Sequence, residues 1–307
     1  MITADKMIYR ATTMLTVVLL TTLALGASAM AQTPGQPAPW GMGMQSSATE
    51  IMDKIRWFET YTLIIITVIT LFVLALLIVV IMRFRRAANP TPSKTTHNTM
   101  IEVVWTVIPV LILVAIAFPS FRLLYFETTI PQADMTVKMI GGQWYWQYEY
   151  MDEDYADIGT ITSYMLDDDA REERKAEYSL DDGAVPRLLA VDYPLVVPED
   201  TIVHVFTTSL DVNHAIAVPA FGIKADSIKG RLNEAWFNAE DPGIYYGQCS
   251  QLCGRGHAFM PLEVRVLTKE RFDEWQALAK ENMDQATEQL LVWQSEDNGT
   301  PVAALTD

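Results

Sequence analysis

Two uncharged apolar runs, Tyr61 to Met82 and Val103 to Phe121, constrain the fold of this chain more than any other feature. Each is long enough to cross a hydrocarbon layer, which takes about 20 residues of helix. Neither has the polar face that a soluble domain requires of a surface helix. They read as a transmembrane pair and not as two buried helices of a soluble domain. The loop between them carries Arg83, Arg85, Arg86 and Lys94, and no acid before Glu102. Basic loops stay on the cytoplasmic side, so the segment before the first helix and everything after the second face outward.

The start of the chain resembles an export signal. Lys6 and Arg10 precede an apolar run from about Met14 to Leu25, and Ala29-Met30-Ala31 offers a small-x-small cleavage site. A third span is the alternative, but the apolar core is short for one. The expected order is a signal peptide over 1–31, an exposed segment over 32–54, and a hairpin over 55–127 with helices at about 60–83 and 101–125.

Beyond the hairpin both charge and periodicity change. Residues 131–307 hold 32 acids and 13 bases, a formal −19, against +3 for residues 1–130. A domain this acidic repels nucleic acid and attracts basic partners. Met135–Ile140 and Leu262–Leu267 alternate as strands do, and Thr201–Phe206 is rich in β-branched residues. Pro194, Pro198, Pro219, Gly222, Gly230 and Pro242-Gly243 punctuate them. Several short strands separated by turns argue an all-β sandwich or small barrel over 131–267. An acidic insertion at about 151–182 interrupts it, read as a solvated excursion with a short helix near Arg171–Glu177. Thr268 is an N-cap candidate for a helix running to about Gln289, with Phe272, Trp275 and Leu278 or Ala279 on one face. Glu296 to Asp307 form a frayed tail of the 268–307 segment. The fold class is thus an α+β membrane protein: a two-helix hairpin, then an all-β domain with a C-terminal helix.

The chemistry concentrates in Cys249-Ser250-Gln251-Leu252-Cys253-Gly254-Arg255-Gly256-His257-Ala258-Phe259-Met260, which holds the only two cysteines of the chain. In an exported domain two cysteines most often pair as a disulfide. His257 and Met260 at short spacing, and His214 from another segment, point instead to a metal. Thiolate, imidazole and thioether suit copper, whereas magnesium or calcium would want oxygen. A mononuclear blue-copper site uses two His, one Cys and a weak Met, so this set has one thiolate too many. Two thiolates can bridge two copper ions, with one imidazole for each. A structural Cys2His2 zinc leaves Met260 unused. At this stage dinuclear copper, mononuclear copper or zinc, and a bare disulfide all remain open.

Three runs carry a family resemblance, in the family's order: Thr96-His97-Asn98-Thr99-Met100-Ile101-Glu102-Val103-Val104-Trp105-Thr106, Gln143-Trp144-Tyr145-Trp146-Gln147-Tyr148-Glu149-Tyr150, and Tyr246-Gly247-Gln248-Cys249 onward. The chain resembles subunit II of haem-copper cytochrome c oxidases of the proteobacterial and mitochondrial type. That resemblance implies a cupredoxin-like domain and a mixed-valence dinuclear copper centre, CuA. Its implied ligands are His214, Cys249, the main-chain carbonyl of Gln251, Cys253, His257 and Met260. It implies Trp144 as the residue through which electrons from cytochrome c enter, and Glu102 as a carboxylate at the mouth of a proton path. Subunit I, with haem a and a haem-copper site, and subunit III are the implied complex partners. The implied setting is the bacterial inner membrane, with the N-terminus and copper domain periplasmic. Glu149, Asp211 and Asp226, in matching segments, are the implied docking acids for a basic cytochrome c; Asp152-Glu153-Asp154 is supported by charge alone.

Two positions depart from the family. Gln251 stands where a Glu usually reaches a magnesium ion at the subunit I interface, and a neutral amide is a weaker ligand for Mg2+. Gly142 stands where the family commonly has His. His97 and His204 have no matching partners and read as structural or solvent-facing. Readings from other classes are a copper-free structural subunit of a quinol oxidase and a membrane-anchored mononuclear-copper carrier. A nitrous oxide reductase would bear CuA but lack the hairpin.

Overall fold

The computed structural model describes residues 34–297. The expected signal peptide over 1–31 and the last ten residues of the tail lie outside them. Helix α1 spans Glu50–Arg83 and α2 spans Thr99–Thr128. Both have windows apolar enough to cross a membrane, and none of either window is buried in the protein. The Tyr61 hydroxyl donates to the Ala115 carbonyl across the hairpin at 3.2 Å.

Helix α1 starts about ten residues before its apolar run because its first turns belong to the β-domain. Thr49 caps it, accepting from the Met52 amide at 3.1 Å. Ile51 and Met52 are buried against the turn Pro219–Phe221. Gly222, at φ +70°, lets that turn close: a Cβ there would come within 2.7 Å of Ile55 Cδ1.

The β-domain is built from ten strands: β1 Met135–Gly142, β2 Tyr145–Tyr150, β3 Thr160–Ser163, β4 Leu195–Pro198, β5 Ile202–Ser209, β6 His214–Val218, β7 Ile223–Ser227, β8 Asn233–Asn238, β9 Gly243–Gln248 and β10 Pro261–Leu267. One sheet has the order β3-β2-β1-β5-β8, the second β4-β10-β9, and β6-β7 forms a separate ribbon. β1 runs parallel to β5, with Met139 opposite Thr207, and β10 runs parallel to β4, with Val264 opposite Leu195. The inward positions of both sheets meet in one core that includes Val137, Trp146, Tyr148, Val203, Val205, Leu195, Val197, Phe221, Phe237, Leu262 and Val264. This is the expected sandwich.

Ala48, Thr49, Ile51 and Met52 are buried, so the segment expected to be exposed over 32–54 is partly packed on the β-domain, and two further expectations change. The insertion is not only a solvated excursion. It holds a 3-10 turn, Glu153–Ile158, strand β3 and helix α3, Asp168–Tyr178. Strand β3 completes the edge of the larger sheet by pairing Ile161 with Tyr148, because Ile158 and Ile161 bury apolar surface there. The C-terminal helix is two helices, α4 Lys269–Glu281 and α5 Met283–Asp297. Asn282 makes the break: it is extended at φ −156°, and its Oδ1 accepts from the amides of Asp284 and Gln285 at 2.9 and 3.3 Å. Phe272, Trp275 and Ala279 face the core from α4, as their spacing predicts.

Candidate metal centre

His214 opens strand β6, and the other candidate ligands come from the loop between β9 and β10. The Ser250 amide donates to the Ala215 carbonyl at 3.0 Å, which ties that loop to β6 one residue from His214. Both thiols are free and buried. Their sulfurs lie 3.9 Å apart, far beyond the ~2.05 Å of a disulfide.

The donors fall into two halves around these sulfurs. Cys249 Sγ has His214 Nδ1 at 3.9 Å and the Gln251 carbonyl oxygen at 3.3 Å. Cys253 Sγ has His257 Nδ1 at 3.6 Å and Met260 Sδ at 3.6 Å. Among the described residues, His214, Cys249 and Cys253 form a group able to hold a metal ion, with ligand atoms all within 4.8 Å of one another. All six atoms expected from the sequence therefore come together.

The surroundings hold them there. Gly141 on β1 clears the space for His214, since a Cβ would come within 2.8 Å of its Cδ2. Trp146 packs edge-on to the His214 ring, with centroids 6.0 Å apart, and its indole N–H donates to the Met260 carbonyl at 3.1 Å. His214 is fully buried, and its Nε2 lies 2.9 Å from Asp211 Oδ1.

Electrostatics separate the two thiols. Burial opposes the Cys249 thiolate, but hydrogen bonding with His214 and with the backbone at Ala215 and Gln251 outweighs it and brings the thiol down to about 6. Burial, and then the neighbouring Cys249 charge, push Cys253 up to about 12. Burial works against the His214 imidazolium, yet hydrogen bonds to Cys249 and Asp211 raise its pKa overall. Asp211 is opposed by burial too, but bonds from His214 and the amides of Val212 and Gln143 hold it below the ordinary carboxylate range. Metal binding must displace the protons these groups share.

Trp144 lies half-buried beside the loop. Its indole N–H donates to the Cys253 carbonyl at 3.2 Å, and the Gln143 side-chain amide donates to the same oxygen at 3.0 Å. The Arg255 guanidinium sits 5.4 Å above the ring. Gly256 lets the indole lie flat on the loop, because a Cβ there would come within 2.2 Å of Trp144 Cδ2. Gly141, Trp146, Arg255 and Gly256 were not singled out from the sequence, where nothing marks a close approach between segments far apart in the chain.

The other candidates lie apart. Glu149 pairs with Lys138 at 2.9 Å, and Asp226 is exposed on β7. Glu102 accepts from the Asn98 amide at 3.3 Å while Asn98 accepts from the Ile101 amide at 3.3 Å, a reciprocal cap at the start of α2. His97 is exposed, and His204 packs on Phe206 with ring centroids 4.3 Å apart. At Gly142 the Tyr145 ring takes the space of a side chain, 2.6 Å from where a Cβ would stand.

Two family models match the chain: "Cytochrome C oxidase subunit II, periplasmic domain" over residues 135–267, and "Cytochrome C oxidase subunit II, transmembrane domain" over residues 37–123. The probable cytochrome c oxidase subunit 2 of Rickettsia bellii is 44% identical, over 79% of this chain and 85% of its own. Cytochrome c oxidase subunit 2 of Cereibacter sphaeroides is 42% identical, over 78% of this chain and 81% of its own. The crystal structure of the periplasmic domain of subunit II of cytochrome oxidase of Bradyrhizobium japonicum covers 50% of this chain and 99% of its own, at 42% identity and a TM-score of 0.43. With these matches running from the hairpin to the last strand, the chain belongs to the cytochrome c oxidase subunit 2 family.

Proposed function

We propose that this subunit of a respiratory oxidoreductase takes electrons from cytochrome c at a dinuclear copper centre, CuA. The family domain implies copper, and two thiols, two imidazoles, a thioether and a carbonyl are a donor set that fits it. One observation carries the dinuclear reading. Each cysteine sulfur has one imidazole nitrogen and one weaker donor of its own, and the two sulfurs face each other at 3.9 Å. Two copper ions held jointly by Cys249, Cys253, His214, His257, Met260 and the Gln251 carbonyl would employ all six donors. Zinc would leave the buried Met260 thioether idle, and a mononuclear blue-copper site would leave one thiolate over.

When bound, the copper pair supplies a one-electron relay between cytochrome c and haem a of subunit I, where oxygen is reduced and protons are pumped. The chain's own residues do the rest. Trp144 offers a partly exposed π-surface bonded directly to the backbone of Cys253, a short covalent and hydrogen-bonded route inward. The β-framework keeps the donors fixed through redox change. Glu149 and Asp226 add negative potential that speeds docking of a basic donor more than it tightens it. Glu102 would serve at a proton-path mouth in subunit I in addition to its capping role. The chain is membrane-anchored by α1 and α2. The bacterial inner membrane, with the copper domain periplasmic and subunits I and III as neighbours, completes the reading; a magnesium ion at the subunit I interface would find only an amide in Gln251.

The test is copper per chain and the electron paramagnetic resonance spectrum of the full-length protein in detergent. Two coppers sharing one unpaired electron are expected. One copper with a single-nucleus signal would make it a mononuclear carrier, and no copper with paired thiols would leave a copper-free structural subunit.

A further inference from the structure

Asp211 reads from its segment as a docking acid, but its geometry points elsewhere. Every lone pair that matters is already engaged. Oδ1 accepts from the Val212 amide at 2.6 Å and lies 2.9 Å from His214 Nε2, while Oδ2 accepts from the Gln143 amide at 2.8 Å. The Asp211 amide in turn donates to Ser209 Oγ at 3.1 Å. Two-thirds of the carboxylate side chain is withdrawn from solvent, its exposure being 34%. Asp226, by contrast, stands exposed on β7 and has no side-chain partner of this kind among the described residues.

We propose that Asp211 is the positioning residue of the metal centre: it orients His214 toward the metal and locks the turn bearing Trp144 to the same ligand. The proposal rests on the copper reading given above. His214 turns Nδ1 toward Cys249, so the ring nitrogen left for the carboxylate is Nε2, which carries the proton and donates it to Oδ1. That fixes the tautomer whose Nδ1 lone pair is available to a metal and makes the imidazole a stronger donor. Through Oδ2 the same carboxylate holds the amide of Gln143, the residue before Trp144, whose indole bonds to the Cys253 carbonyl. One side chain thus links the β1–β2 turn, the buried histidine and, through that turn, the cysteine loop. A docking acid needs no such connections.

The experiment uses the full-length chain in detergent, loaded with copper. Chelator competition gives the copper affinity, and a redox titration gives the midpoint potential. Asp211→Asn keeps an acceptor oxygen for Nε2–H but removes the negative charge. Copper stoichiometry should be retained, the potential should rise because the oxidised, more positive centre loses a nearby anion, and the affinity should fall. Asp211→Ala removes the acceptor and should cost on the order of 10- to 100-fold in copper affinity, more than Asp211→Asn. Wild-type affinity and potential in both variants, with only a salt-dependent loss of association with cytochrome c, would overturn the proposal and return Asp211 to docking. Failure of the unsubstituted chain to bind copper would remove the underlying reading instead, and that result comes from a different sample.

Discussion

Strand β10 meets two polar clusters, one at its start and one further along on the face opposite its core residues, and the two are completed by different chemistry. Met260, immediately before the strand, belongs to a set of soft donors that face one another at 3.3–3.9 Å. Glu263 and Arg265, within the strand, are a buried ion pair at 2.8 Å, exposed by 1% and 6%. That pair is satisfied by the protein itself. Glu263 Oε2 accepts from the Val191 amide at 3.1 Å, and Arg265 donates to the Leu290 carbonyl at 3.1 Å and to Gln294 Oε1 at 3.0 Å. Arg174 of α3 adds a bond to the Val191 carbonyl at 2.8 Å. The ionic end fastens α3 and α5 onto the sandwich; the sulfur end presents donors that suit a metal. Burying polar groups serves architecture where every partner is a protein group, and function where the donors suit a metal.

If that division holds, each end can be broken without the other. The largest effect should come from Arg265→Met, which leaves the Glu263 carboxylate buried beside a thioether. Removing one member of a buried pair costs about 3–5 kcal/mol, which denaturant unfolding of the detergent-solubilised chain would read. Glu263→Met with Arg265→Met should recover much of that loss, since an apolar pair of similar volume is often neutral. Copper affinity of the folded protein should stay within a few-fold of wild type in both. Loss of copper in step with stability would show that the two ends are one unit.

The converse variant is Cys253→Ser, which removes the sulfur shared by His257, Met260 and Cys249. It should abolish copper retention while moving the unfolding free energy of the copper-free chain by less than about 2 kcal/mol. Trp144→Phe is subtler. It keeps a ring on Gly256 but loses the bond to the Cys253 carbonyl, so about 1 kcal/mol of stability should go. Copper should be retained, and electron uptake from cytochrome c in stopped flow should slow at least tenfold with unchanged salt dependence. An unaltered rate would remove Trp144 from the route.

The two ends also differ in how far the sequence discloses them. Cys249, Cys253 and His257 are of the residue types rarest in this chain and stand with Met260 at fixed spacing in one loop, so their meeting is a local matter, and only His214 had to be brought from elsewhere. The hairpin is equally plain, because length and lack of charge suffice. The ionic end offers no such pattern. Arg174, Val191, Glu263 and Leu290 are ordinary residues far apart in the chain, and their alignment depends on β10 lying parallel to β4 while α5 brings Leu290 within reach of Arg265. The same reason hid strand β3: four residues inside an acidic stretch pair with β2 only because Ile158 and Ile161 find the core. Asn282 was legible in principle as an N-cap, but the apolar periodicity on both sides of it reads as one helix. Asp211 shows the limit most sharply. Its charge and family position say docking, whereas its role follows from which atoms its two oxygens meet.

The smallest effect belongs to the rim of the insertion, where an exposed acid, Asp182, pairs with two largely covered bases. Asp182 accepts from Lys175 at 2.7 Å and pairs with Arg171, helping to hold the turn after α3 to the helix. Lys175, first by its hydrogen bond and then by its charge, keeps the Asp182 carboxyl below its ordinary value. A depressed carboxylate stabilises the fold at pH values above its unfolded pKa and loses that contribution as pH falls through the folded value. Near neutral pH the contact is intact, and it should loosen only in acid below about 4. Because the group is exposed and screened, Asp182→Asn should leave the global unfolding midpoint where it is. Its trace should be local: faster amide exchange in residues 179–184 at neutral pH, with the exchange of β9, β10 and the metal loop unchanged. Faster exchange reaching β10 would mean that the insertion's surface charges bear on the buried ionic end, and the boundary between fastening and binding would have to be drawn further out.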